Sequence, residues 1–159
     1  MYITDDQIAM YKQNGFVIIE NFLNSEEQQA ALDGFFKFYA STYDDYVSNG
    51  HTNKTPQQTI FPWDHSGLNH VTVHPDLIHA AERILGTREI ALCEGHLGIK
   101  YAGQEYGVGV HIDHGNNTIG PLIEPDDFMN LVCFYCFDDV REGMAPICMI
   151  PNGCAEDEA

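Results

Sequence analysis

The chain has 159 residues, enough for one domain with a real core. Hydrophobic residues make up 44% and charged residues 19%, a globular balance that excludes wholesale disorder. Seven Lys+Arg against 24 Asp+Glu give a net charge of −17, a field that repels phosphate backbones and anionic membranes, so neither nucleic acid nor membrane is expected as a partner.

In chain order, Thr4-Asp5-Asp6-Gln7 reads as a capping box, and Asn14-Gly15 as the stop of that first helix. Phe16 to Glu20 reads as a short buried strand. Asn24 or Ser25 caps a second helix, with Glu26 and Glu27 at its positive end. Leu32, Phe35, Phe36 and Tyr39, at helical spacing, are expected to form its aromatic core face. Residues 48–70 are polar and rich in turn formers, and predict a long surface loop carrying His51, Trp63, His65 and His70. His74-Pro75-Asp76 then opens a helix that runs to Leu85 and stops at Gly86.

From residue 88 the pattern changes to strands. Glu89–Cys93, Leu97–Tyr101, Val108–Ile112, Met129–Phe137 and Pro146–Ile150 are short β runs separated by Gly, Asn, Asp and Pro. Helices first and strands after predict an α+β fold whose β part is a sandwich or jelly roll. Cys133-Phe-Tyr-Cys136 is formally C-x-x-C. On a strand these two side chains point to opposite faces, so they read as buried core cysteines and not as a zinc or redox turn. The five cysteines, an odd number without framework spacing, fit a reducing compartment. Without a leader or an 18-residue apolar run, the expected location is cytoplasmic.

Two triplets have the form His-x-Asp. With 8 histidines and 13 aspartates in the chain, chance alone gives about 0.7 of them, so context must separate the two. His74-Pro75-Asp76 is accounted for by helix-start chemistry and is set aside as a metal site. His111-Ile112-Asp113 sits at a strand end, where period two puts imidazole and carboxylate on one face. That is two-thirds of a 2-His-1-carboxylate iron triad.

The order of these pieces resembles the phytanoyl-CoA dioxygenase family of Fe(II)/2-oxoglutarate-dependent oxygenases. The opening Thr4-Asp-Asp-Gln-Ile, Tyr11 and Asn14-Gly-Phe-Val-Ile-Ile-Glu-Asn-Phe-Leu23 are similar to that family's first segment. Ile84-Leu-Gly86, Leu97 to Lys100, His111-x-Asp113, Phe137-Asp-Asp-Val140 and Gly143-Met-Ala-Pro through Ile150-Pro-Asn-Gly follow in the family's order. The resemblance implies N-terminal helices followed by a double-stranded β-helix, or jelly roll. Residues 1–159 then form a single domain: 1–86 mainly helical, 87–153 the first strands, 154–159 an acidic tail. It implies Fe(II) as cofactor, 2-oxoglutarate as co-substrate and O2, acting on a small-molecule substrate. His111 and Asp113 fall on the iron-ligand positions, and His96 and Phe134 near positions that contact 2-oxoglutarate.

The pattern also breaks. The family's second iron histidine and its carboxylate-clamping arginine have no counterpart, because no histidine follows His114 and no arginine follows Arg141. The expectation is an N-terminal part of a longer enzyme, inactive alone, with strand edges open to self-association. The competing expectation is a degenerate, non-enzymatic binding or assembly module. A third places His96 across a hairpin from His111, giving a His96/His111/Asp113 triad; His65 and His70 are further candidates for the missing ligand. The paucity of cations favours a small neutral or apolar substrate over a CoA thioester.

Overall fold

The computed structural model describes residues 2–51, 57–58, 61–104, 107, 109, 111 and 130–154. Helix α1 (Asp5–Asn14) starts as its sequence dictates. The Thr4 hydroxyl accepts the Gln7 backbone N–H, the Gln7 side chain accepts the Thr4 backbone N–H, and Gly15 closes the helix at φ +82°. Helix α2 (Ser25–Phe35) has the same device, with Asn24 as cap and Glu27 as its reciprocal partner. Helix α3 (Tyr43–Ser48) is capped by Thr42. Helix α4 (Ser66–Thr72) begins at His65, and helix α5 (Pro75–Leu85) begins at His74 and ends on Gly86. Two short strands, β1 (Gln57–Gln58) and β2 (Leu97–Gly98), pair antiparallel.

The main core lies between α2, α4 and the β2 region. Ala31, Phe35, Tyr39, Trp63, Leu68 and Val71 meet Leu97 and Tyr101, with Tyr135 and Phe137 packed on the edge. Two glycines permit the close crossing of α2 and α4. A Cβ on Gly67 would stand 2.3 Å from the Ala30 carbonyl oxygen, and one on Gly34 would stand 2.4 Å from the His65 ring. Tyrosine hydroxyls fasten the β2 segment: Tyr39 donates to the Leu97 carbonyl at 2.8 Å and Tyr101 to the Ala40 carbonyl at 2.9 Å. A smaller cluster of Ile3, Ile8 and Ala80 joins α1 to α5. Arg83 strengthens that joint by donating to the Ile3 carbonyl and the Asp5 carboxylate.

Several expectations are corrected here. Residues 48–70 are not all surface loop: Trp63 is 4% exposed and Leu68 0%. The polar residues there turn inward to serve the backbone, since the Asn69 amide both accepts the Trp63 N–H and donates to its carbonyl, each at 2.7 Å. Phe16–Glu20 forms no strand, and Ile18 is 77% exposed. Cys133 and Cys136 are exposed, not buried. From Phe134 to Phe137 the segment alternates, with Tyr135 and Phe137 inward and Phe134 and Cys136 out.

Among the described residues, 89–93, 130–137 and 146–150 carry no strand ladder. A strand exists only with a hydrogen-bonded partner, and a period-two pattern supplies none by itself. The 130–154 segment is held to the helices instead. The Phe137 carbonyl accepts from the Gln28 side chain at 3.0 Å, and the Asn152 N–H donates to the Asn14 carbonyl at 2.9 Å. No helix among the described residues is long and apolar enough to cross a membrane.

Candidate functional site

The two His-x-Asp triplets have different settings. His111 is exposed, and its Nδ1 lies 2.8 Å from the Gly109 carbonyl oxygen. A carbonyl only accepts, so Nδ1 carries the proton and donates. In the neutral ring this leaves the lone pair on Nε2, the arrangement usual for a metal-ligating histidine. Asp113, the other expected iron ligand, lies outside the described residues. His96 is partly exposed, with Nε2 3.0 Å from the Glu94 carboxylate. Phe134 is 57% exposed. The hairpin that would set His96 opposite His111 runs through residues outside the described set.

His74 is buried and does what its helix-start position predicts: Nδ1 accepts the Asp76 backbone N–H at 3.1 Å. That bond fixes the lone pair on Nδ1 and the proton on Nε2. The Nε2–H then reaches across the fold and donates to Glu27 Oε1 at 3.1 Å. His70, on α4, places its own Nε2 3.2 Å from the same oxygen. Glu27 Oε2 is engaged with the Asn24 backbone N–H at 2.9 Å. One carboxylate thus closes its own helix cap with one oxygen and gathers two histidines from α4 and α5 with the other.

These contacts hold Glu27 in its ionised form. Its pKa falls from the ordinary 4.5 to about 2. The Asn24 N–H lowers it most and His70 next, desolvation pushes partly back, and His74 lowers it again. Glu27, His70 and His74 are the one group of three His, Cys, Asp or Glu side chains among the described residues whose ligating atoms lie within 4.8 Å of one another. Glu27 and His70 also line a groove of about 410 Å³ between α2 and α4, with Glu26, Asp33 and His65. His65 Nδ1 and the Tyr135 hydroxyl are buried without a hydrogen-bond partner. The Tyr135 ring touches Phe22, which in turn touches His74. Burial, with the charges of Cys133 and Glu27, raises the Tyr135 phenol above its usual range and keeps it protonated.

The sequence pattern leads to His111 and to the helix cap at His74, but not to this cluster. Glu27 reads locally as an acid at a positive helix end, and its histidine partners are 43 and 47 positions away. The composition of the 48–70 segment does mark His70 as a candidate ligand. It gives no register to place that ring over α2. No protein-family model, no curated protein and no solved structure matches this chain.

Proposed function

We propose that the chain is a Fe(II)/2-oxoglutarate-dependent dioxygenase of the phytanoyl-CoA dioxygenase type, with His111 and Asp113 as two of its iron ligands. The order of the sequence motifs carries this reading. The His111 ring is compatible with it, because its Nδ1–H donates to the Gly109 carbonyl, the tautomer in which a histidine ligates through Nε2. When bound, Fe(II) supplies O2-activating chemistry, with 2-oxoglutarate as the co-substrate that leaves as succinate and CO2. His96 and Phe134 are proposed to contact 2-oxoglutarate, both from exposed positions.

On this reading residues 87–153 contribute the first strands of a jelly roll. Val132, Phe134, Met144, Ile147 and Met149 are all exposed, which supports self-association of the chain as it stands. A net charge of −17 favours a small neutral or apolar substrate, and a cytoplasmic location is proposed with it. No histidine follows His114 and no arginine follows Arg141, so the 159-residue chain is expected to form no succinate on its own.

The test is anaerobic Fe(II) titration of the chain and of His111→Ala and Asp113→Ala. Fe(II) affinity that falls in both variants supports the reading. Affinity unchanged by either substitution contradicts the proposed ligands. An intact chain with no Fe(II) affinity points instead to a metal-free binding module. Succinate formed by this chain alone would overturn the expectation of inactivity.

A further inference from the structure

We propose a second metal site, distinct from His111 and Asp113, in which Glu27, His70 and His74 bind a divalent transition-metal ion of the zinc class. Donor atoms around such an ion, at about 2.0–2.2 Å from it, lie about 3.0–3.5 Å from one another. Glu27 Oε1 already stands 3.2 Å from His70 Nε2 and 3.1 Å from His74 Nε2. A small displacement of the three side chains opens the space between them to an ion. Two imidazoles and a carboxylate are the donor set that suits zinc and its first-row neighbours.

The surroundings favour an ion over a plain hydrogen-bond cluster. Glu27 is oriented from behind by the Asn24 N–H, the outer support that a ligating carboxylate needs. Glu27 lies on α2, His70 on α4 and His74 in the connection that caps α5, so the ion would tie α2 to the α4–α5 junction. His70, at the solvent edge, lies on the α2–α4 groove, which gives an ion a way in. Glu26 and Asp33 on that groove add negative charge. Among the described residues, His65 Nδ1, whose ring lines the same groove, and the Tyr135 hydroxyl are buried without a hydrogen-bond partner.

Occupancy has a definite structural consequence. To ligate through Nε2, the neutral His74 ring must move its proton to Nδ1. Nδ1 then faces the Asp76 N–H donor to donor, and the α5 cap opens. Loss of this one capping bond is small against three metal–ligand bonds, so the ion and the cap compete and the ion wins. At His70, whose side chain is half exposed, the displaced proton goes to water or to Nδ1.

The test uses the tag-free 159-residue chain carrying His111→Ala, so that the site proposed above cannot contribute. Zn2+ is titrated by equilibrium dialysis. One equivalent should bind, and its affinity should fall roughly tenfold or more in His70→Ala and in His74→Asn. The asparagine retains a side-chain oxygen for the Asp76 N–H, so the second variant keeps its helix cap, and circular dichroism verifies the fold. Zn2+ should also speed amide exchange at Asp76. No Zn2+ binding in the His111→Ala chain, or binding unaltered in folded His74→Asn, overturns the site. An Asp76 amide indifferent to bound Zn2+ overturns ligation by His74.

Discussion

The two His-x-Asp triplets of this chain differ in what the backbone asks of the ring. At His74 the backbone offers an N–H, so the imidazole accepts at Nδ1 and presents a proton at Nε2. At His111 it offers a carbonyl, so the imidazole donates at Nδ1 and presents a lone pair at Nε2. The same three-residue pattern therefore yields an Nε2–H donor aimed at Glu27 in one place and an Nδ1–H donor to its own backbone in the other. The lesson is that a histidine motif is read through the polarity of its backbone partner, which the triplet does not contain. An ion at His111 leaves the Gly109 bond intact, whereas an ion at His74 must break a helix cap.

The largest expected effect separates the two regions by force. Gly67→Ala drives a methyl group into the Ala30 carbonyl, 2.3 Å away, where the obstacle is backbone and cannot rotate aside. A stability loss of about 3 kcal/mol is expected in urea denaturation, with α4 and its His70 pushed off Glu27. The His111 region does not share that contact. Fe(II) affinity at His111 retained under conditions where the variant is still folded would show the two sites to be independent.

Substituting the two histidines makes the contrast milder and more direct. His74→Ala removes both the α5 cap and the bond to Glu27, and should cost about 1–2 kcal/mol. His74→Asn should recover part of that loss by restoring the cap. His111→Ala, at an exposed position, should stay within about 0.5 kcal/mol of the parent chain. Equal losses at 74 and 111 would break the comparison.

The smallest effect is a pH dependence. Glu27 titrates near 2 in the folded chain and near 4.5 when unfolded, so the unfolded chain takes up the proton first as pH falls. Its contribution to stability is complete above about 4.5 and drains away as pH drops toward 2. Solvent screening of a partly exposed group keeps it modest. Denaturation curves at descending pH should show a shallower acid limb in Glu27→Gln than in the parent. An unchanged slope would mean that Glu27 contributes nothing to this limb.

Local chemistry in this chain is legible from sequence, and long-range closure is not. The caps at Thr4, Asn24 and His74 and the stops at Gly15 and Gly86 stand where short-range rules put them, because each is settled within four residues. Helix α4 is harder to see. It is seven residues long, its His65 cap makes no side-chain capping bond, and its neighbours look like loop composition. Its burial comes from Trp63 and Leu68 meeting α2, a contact permitted by the absence of Cβ atoms at Gly34 and Gly67. The Glu27 cluster fails to show for the same reason. Its three members are each explained locally, as helix-start acid, loop residue and helix start, and only the packing of α4 and the α4–α5 junction on α2 brings them together. His74 shows the hazard of stopping at a sufficient local explanation, since being a helix cap occupies only one of its two nitrogens.

The difference between the triplets can be measured on the rings themselves. A long-range proton–nitrogen spectrum of the metal-free chain, with histidine labelled by ¹⁵N and recorded at pH well above histidine titration, reports which ring nitrogen carries the proton. His111 should appear as the Nδ1–H form, with its lone pair on Nε2, and His74 as the Nε2–H form. His111 in the Nε2–H form would contradict donation from its Nδ1 to the Gly109 carbonyl, on which the contrast between the triplets rests.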